Sequence, residues 1–232
     1  MKQYFVTGTD TGVGKTTVSC ALLAAARARG LAVDAIKPAE TGCAPDHEGK
    51  LFASDAAALA RAAFGDERKA RALFVYRAPL APAMAAELEG NPVDLELIEV
   101  GMASLRAAQP DLLLMEGAGG LLVPLTAELD MAGLARHLAL PLIVVARDSL
   151  GTINHTLLTL EAAARRGLPV AGVILSAAVP GTSRLDADRN AREISRRGST
   201  PVLGLLPHQD DCSPAALARA AEAHLDLAAL LP

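Results

Sequence analysis

The feature that most constrains this chain is a glycine-rich segment near its N-terminus, Gly8–Thr17, with the sequence GTDTGVGKTT. It follows a short apolar run, Tyr4–Val6, that is typical of a β-strand, and it precedes Val18–Ala24, which is typical of an α-helix. A strand, a glycine turn, Gly-Lys-Thr and a helix occur in this order in phosphate-binding loops. The segment therefore predicts an α/β fold that binds a nucleotide through its first loop.

The chemistry of this loop follows from its residue types. Glycines let backbone N–H groups turn toward an anion, the helix N-terminus adds partial positive charge, and Lys15 adds a full charge. Thr16 offers a hydroxyl to Mg²⁺. Five residues separate Gly8 from Gly14 where the usual pattern has four, and a glycine turn with a solvated lysine is the alternative. The predicted nucleotide contacts here are Gly12, Val13, Gly14, Lys15, Thr16 and Thr17.

The composition indicates a packed globular protein. Of 232 residues, 51% are hydrophobic and 21% are charged, so we expect one domain over residues 1–232. The net charge of −4 gives no basic footprint for nucleic acid, and the aromatic content of 3% argues against a base-stacking surface. We therefore expect no nucleic-acid partner.

The sequence also predicts a cytoplasmic protein that does not enter a membrane. The first residues run directly into a strand, which leaves no room for a signal peptide. The most apolar run, Leu138–Ala146, is too short to span a bilayer. Three scattered cysteines, Cys20, Cys43 and Cys212, form no Cys-x-x-Cys pair and suggest neither a disulfide framework nor a zinc site.

Apolar strand-like runs alternate with helical stretches, which predicts a three-layer P-loop NTPase fold with a central, mostly parallel sheet flanked by helices. In such a sheet the loops after the carboxyl ends of the strands build the site. The predicted strands are Tyr4–Thr7, Ala32–Ile36, Ala72–Val75, Leu112–Met115, Leu142–Ala146, Val170–Leu175 and Val202–Leu205. The predicted helices are Thr16–Arg29, Ser54–Ala63, Leu95–Gln109, Met131–Leu138, Asn154–Arg166, Leu185–Arg197 and Ser213–Leu230.

Two charged residues fall where predicted strands end. Lys37 follows Val33–Ile36, and at this edge of the sheet it can stabilise developing negative charge; a solvated surface lysine is the alternative. Glu116 follows Leu112–Met115, a position from which a carboxylate can reach Mg²⁺, and the glycines after it allow close approach of a ligand. A capping glutamate before a glycine turn is the alternative there.

A third segment, Arg147–His155, is less decisive. It precedes a predicted helix whose start suits an anionic group such as a substrate carboxylate, and plain capping by Thr152 or Asn154 explains it equally well. Two irregular stretches, 39–53 and 76–82, are candidate lids or substrate loops, or ordinary surface connections.

Taken together, these motifs resemble the dethiobiotin synthetase family. The phosphate loop with one added residue is itself a trait of that family. The matching segments keep the family order over roughly the first two-thirds of the chain: Tyr4–Thr11 with Gly14-Lys15-Thr16, Lys37-Pro38 with Thr41-Gly42, Ser54-Asp55, Glu116–Gly120 and Leu150–His155.

The resemblance implies ATP-dependent carboxylation of 7,8-diaminononanoate with CO₂, and ring closure to the cyclic urea dethiobiotin. It implies Mg²⁺ held by Thr16, Asp55 and Glu116, with Lys15 and Lys37 as catalytic residues. A homodimer is implied, because in the family the segment that receives the substrate carboxylate comes from the partner subunit. Further implied nucleotide contacts are Asp55, Glu116, Gly117, Ala118, Gly119, Ser176, Leu205, Leu206 and Pro207. Implied substrate contacts are Thr11, Thr41, Gly151, Thr152 and Asn154.

Two departures from the family pattern bear on specificity. Gly12 stands where some relatives carry glutamate, and Ser176-Ala177 stands where some carry Asn-Asp to read adenine. Because serine and alanine cannot form the same two hydrogen bonds, other nucleoside triphosphates could serve.

The main alternative function is a nucleotide-switched ATPase of the partitioning or iron-protein type, which binds a macromolecular partner and shares the fold and the loop. Many of these proteins carry a signature lysine five residues before the loop lysine. Asp10 stands at that position in this chain.

Overall fold

The computed structural model describes residues 1–177 and 184–232. Seven parallel strands form one sheet in the order β3-β2-β4-β1-β5-β6-β7. The strands are β1 Lys2–Gly8, β2 Val33–Glu40, β3 Ala72–Val75, β4 Leu112–Gly120, β5 Leu142–Arg147, β6 Val170–Ser176 and β7 Val202–Leu206. The helices are α1 Lys15–Ala28, α2 Ser54–Phe64, α3 Pro82–Glu89, α4 Leu95–Ala107, α5 Met131–His137, α6 Thr152–Arg165, α7 Arg184–Gly198 and α8 Pro214–His224.

Helices cover both faces of the sheet, which confirms the predicted three-layer fold. Side chains alternate between the faces along each strand. Val33, Ala35, Leu112 and Leu114 pack in the core that contains α1, α2 and α8. Ile36, Leu113 and Met115 pack in the second core, with α3 to α7. By the same period of two, residue 37 of β2 and residue 116 of β4 face α1.

Both of those strands are longer than the sequence predicted. β2 continues past Pro38 to Glu40, because it changes partner: it pairs with β4 up to Ile36 and with β3 from Lys37 onward. Alternate residues of a strand direct their N–H groups to opposite neighbours. The missing N–H of Pro38 is therefore on the β4 side, where pairing has ended.

The helix predictions hold with two exceptions. The eight-residue helix α3 was missed; it begins at Pro82, which we placed in an irregular loop. The predicted helix Ser213–Leu230 is too long, because Leu225 is extended and the chain turns into a short 3₁₀ segment, Leu227–Ala229. Asp130 and Ser213 cap α5 and α8 as expected.

Among the helices in residues 1–177 and 184–232, none is long and apolar enough to cross a membrane.

Candidate active site

The glycine loop leaves β1 at Gly8 and enters α1 at Lys15. Gly12 and Gly14 have φ of +70° and +96°, backbone values that residues other than glycine rarely adopt. The Lys15 ammonium donates to the Asp10 carbonyl at 3.3 Å, so this side chain folds back over the loop. Arg147, at the end of β5, donates to the Gly12 carbonyl at 2.9 Å. A neighbouring strand therefore anchors the loop.

Lys37 and Glu116 meet inside the protein. Ile36 pairs with Met115, so the next residues of β2 and β4 lie side by side on the α1 face. Lys37 Nζ donates to Glu116 Oε1 at 2.7 Å and to Asp55 Oδ2, at the start of α2, at 2.7 Å. The Lys37 and Glu116 side chains are 4% and 0% exposed, whereas Asp55 is 38% exposed.

Two hydroxyls of α1 also donate to Glu116. Thr16 Oγ1 donates to Oε1 at 2.9 Å, and Ser19 Oγ donates to Oε2 at 2.7 Å. These bonds join the first turns of α1 to β4. Sequence analysis missed Ser19; the available signal was its position three residues after Thr16, which places both on one face of the helix.

Glu40 is a second residue that sequence analysis missed. It is buried, and its carboxylate accepts the backbone N–H groups of Asp55 at 2.8 Å and Ala56 at 3.0 Å. The N-cap residue of α2, Ala53, supplies no side-chain cap, so Glu40 takes that role and places a negative charge at the positive end of the helix. Glu40 thereby fixes the position of Asp55 from β2.

The charges of this cluster support one another. Burial alone would lower the pKa of Lys37, but the Glu116 and Asp55 carboxylates outweigh burial and raise it. Burial would raise the pKa of Asp55, and the Lys37 charge lowers it instead. The pKa of Lys15 is lowered by burial and by the nearby charge of Lys37. We conclude that Lys37 is an ammonium ion paired with two carboxylates.

A family model described as an AAA domain matches residues 2–216. The chain is 48% identical over 212 residues to ATP-dependent dethiobiotin synthetase of Anaeromyxobacter dehalogenans strain 2CP-C, covering 91% of this chain and 92% of the relative. It is 38% identical over 227 residues to that of Pseudomonas aeruginosa strain UCBPP-PA14, covering 98% and 97%. The chain belongs to the dethiobiotin synthetase family. The resemblance drawn from its motifs is thereby confirmed.

More distant solved structures share the fold of this dethiobiotin synthetase family member. A ParA family ATPase from Chlorobium tepidum superposes with a TM-score of 0.53 at 13% identity, covering 97% of this chain and 91% of that one. A MinC:MinD cell division complex from Aquifex aeolicus gives 0.56 at 12% identity, with 96% and 95% covered. At such identity these structures indicate a common P-loop architecture.

A cavity of about 490 Å³ opens above the glycine loop. Most of the residues predicted for nucleotide and substrate lie on its wall. Glu116 lies beneath the wall, Val13 and Leu206 are buried in the core, and Gly117 is buried against the Phe5 ring. Leu205 does not reach the wall, whereas Pro207 does. The predicted residues that line the cavity are Thr11, Gly12, Gly14, Lys15, Thr16, Thr17, Lys37, Thr41, Asp55, Ala118, Gly119, Ser176 and Pro207.

The segment predicted to receive the substrate carboxylate lies elsewhere in this chain. Gly151 lines a second cavity of about 390 Å³, which α7 closes through Asp186, Arg189 and Asn190. Thr152 is buried and Asn154 is exposed. None of the three lines the first cavity.

The residues predicted for Mg²⁺ fit a hard cation in this family member. Thr16, Asp55 and Glu116 present oxygen atoms, and the two carboxylates already surround a positive charge, the Lys37 ammonium. In the part of the chain that the structure describes, no three His, Cys, Asp or Glu side chains form a cation cluster. A magnesium ion here would therefore take further ligands from water and phosphate, as is usual for Mg²⁺.

We expect Ser19→Ala to destabilise the protein by about 1–3 kcal/mol, because it leaves a lone pair of the buried Glu116 carboxylate without its donor. Urea unfolding measures the change. Thr156→Val is the matched control, since Thr156 is equally buried on a helix and its hydroxyl has no partner among the described residues. Equal losses in both variants would show that the Ser19–Glu116 bond contributes nothing specific.

Proposed function

We propose that this protein closes the cyclic urea of dethiobiotin from 7,8-diaminononanoate, CO₂ and ATP. The observation that carries the proposal is the contact of Lys37 with Asp55 and Glu116 directly beside the Gly14-Lys15-Thr16 turn. A site for two anionic reactants needs fixed positive charge at their meeting point. Membership of the dethiobiotin synthetase family supports this reaction over a nucleotide switch.

The reaction proceeds in three steps that need no protein nucleophile. One amine of the substrate adds to CO₂ and loses a proton, which gives a carbamate. The carbamate oxygen attacks the γ-phosphorus of ATP, and ADP leaves. The second amine then attacks the carbonyl carbon of the carbamic–phosphoric anhydride, and phosphate leaves as the ring closes. Positioning supplies most of the catalysis in such a sequence.

Charge neutralisation is the task of the site residues. The carbamate and the γ-phosphate are both anionic, so their approach is repulsive unless cations lie between them. Lys15 reaches the phosphates from the loop, and Lys37 lies beside the carbamate. Mg²⁺, held by Thr16, Asp55 and Glu116, would supply Lewis acidity toward the phosphate oxygens.

We further propose that the enzyme works as a homodimer. Thr11 and Thr41 line the first cavity, where they would contact the substrate. Gly151, Thr152 and Asn154 lie at the start of α6, outside that cavity, so a partner subunit would bring its own α6 N-terminus to the substrate carboxylate.

A cytoplasmic location is supported by the three cysteines, all of which are free.

Incubation with diaminononanoate, bicarbonate, Mg²⁺ and ATP tests the activity, with the cyclic urea detected by mass spectrometry. We expect one ADP and one phosphate per urea. A rate of ATP hydrolysis that does not depend on the diamine and that requires a second protein would instead support the nucleotide switch. Analytical ultracentrifugation tests the dimer, and a monomer with full activity would contradict the shared site.

We expect the preference for ATP over CTP to stay within about tenfold, or about 1.4 kcal/mol, which is the effect of roughly one neutral hydrogen bond. Ser176 lines the cavity but offers one hydroxyl, and the Ala177 N–H is already bonded to the Leu206 carbonyl at 3.0 Å. Equilibrium titration of both nucleotides with Mg²⁺ measures the ratio. A preference for ATP of several hundredfold would mean that other groups read the adenine.

A further inference from the structure

The Lys37 ammonium occupies the two carboxylates that the proposed function assigns to Mg²⁺. Its Nζ lies 2.7 Å from Asp55 Oδ2 and 2.7 Å from Glu116 Oε1. A carboxylate oxygen has about two lone pairs, and those of Oε1 already accept Thr16 and Lys37. The other oxygen of Glu116 accepts Ser19. A cation that binds Oε1 must therefore displace a donor from it.

The donor that can leave is Lys37. Thr16 can keep its proton on Glu116 and still offer an oxygen lone pair to a cation. An ammonium has no lone pair and can only compete. Because Lys37 also lines the open cavity, its flexible stem allows the charged end to move into that space.

Charge balance favours the same exchange. Lys37, Asp55 and Glu116 are in direct contact, and with all three ionised the sum of their charges is −1. A dication added beside an unmoved Lys37 would press positive charges together where both Lys37 and Glu116 are shielded from solvent. Moving the ammonium into the cavity relieves that repulsion. An anionic reactant can then pair with it there.

We propose that Lys37 is the resident counter-ion of the metal ligands, and that binding of a divalent cation releases it into the cavity to meet the anionic reactants. The inference rests on the proposed metal role of Asp55 and Glu116. It links two events: before a cation binds, Lys37 neutralises the two carboxylates, and the catalytic ammonium becomes available only when the metal has bound.

Binding of Mn²⁺ alone, without nucleotide or diamine, tests this exchange through the electron paramagnetic resonance signal of free Mn²⁺. We compare the wild type, Lys37→Met and Lys15→Met. The Lys15 variant removes the same charge from the same cavity, but Lys15 forms no ion pair with either carboxylate in the described part of the chain. It therefore reports the effect of charge alone.

We expect Lys37→Met to bind Mn²⁺ at least about tenfold more tightly than the wild type. For Lys15→Met we expect the affinity for Mn²⁺ to rise by no more than about threefold. Equal tightening in both variants, or weaker binding in Lys37→Met, would overturn the exchange while leaving the metal site intact. Absence of Mn²⁺ binding in all three proteins would instead overturn the metal role on which the inference rests.

A second measurement avoids any folding defect in Lys37→Met. A crystal structure of the wild type with Mn²⁺ locates the metal by its anomalous scattering. We expect Lys37 Nζ to lie more than about 4 Å from Asp55 Oδ2 and Glu116 Oε1, beyond ion-pair distance. A bound Mn²⁺ with both 2.7 Å contacts retained would refute the exchange.

Discussion

Replacing Lys37 by Met is expected to lower the rate of urea formation by about a hundredfold to a thousandfold. That is the typical effect of removing one preorganised group that stabilises a developing anion. The affinity for ATP measured without a divalent cation should change by less than about threefold, because the glycine loop, Lys15 and the helix dipole remain. Calorimetry measures nucleotide binding, and a product assay at saturating substrates measures turnover.

A buried carboxylate that loses its partner can also destabilise the fold, so the variant needs its own controls. Circular dichroism in saturating Mg²⁺ checks that Lys37→Met is folded when it is assayed. Lys2→Met removes an exposed lysine at the start of β1, at the other end of that strand from the glycine loop, and should leave turnover unchanged. Full turnover in the Lys37 variant would show that its proposed role beside the carbamate is misassigned.

Replacing Gly14 by Ala is expected to weaken nucleotide binding by about a hundredfold or more, equivalent to about 2.7 kcal/mol. Gly14 has φ of +96°, which costs other residues about 1–2 kcal/mol. A Cβ at this position would also overlap the Ser176 hydroxyl, which must rotate, and it would crowd the Ser176 Cβ, so the loop or β6 must also shift by a few tenths of an ångström. Movement of the loop redirects the N–H groups that hold the phosphates.

Two companion variants separate strain from collision. Gly30→Ala adds a Cβ at φ of +80° with no described atom within 4 Å, and it should cost about 1 kcal/mol of stability without changing nucleotide affinity. In Gly14→Ala/Ser176→Gly the hydroxyl is removed, and part of the affinity should return. Equilibrium titration of ATP compares all three, and normal affinity in Gly14→Ala would contradict this account of the loop.

The parts of the site that lie on one stretch of chain were predictable. The first strand, the glycine turn and the start of the first helix follow one another directly along the chain, so the local pattern predicts all three. Helix α1 begins within one residue of the predicted start. Lys37 and Glu116 were identifiable because each follows a buried apolar run. Their direct contact was not, since it depends on β2 and β4 being neighbours in register, with Ile36 opposite Met115.

Residues that support the site through distant partners gave weaker signals. Glu40 caps a helix whose first residues lie about fifteen positions later, and Ser19 bonds a carboxylate 97 residues away. Helix α3 was also missed. It begins at Pro82, and a proline preceded by a residue such as Ala81 is typical both of loops and of the first position of a helix.

The sequence by itself determined the fold class, the nucleotide loop and the family, because each depends on local periodicity and on residues at fixed spacing. Only the tertiary structure decided that Lys37 is held between Asp55 and Glu116, and that Thr16, Ser19 and Glu40 fix those carboxylates. The physical reason is that hydrogen bonds and ion pairs act over about 3 Å in space. Strand order and helix packing, rather than separation along the chain, choose which groups come that close.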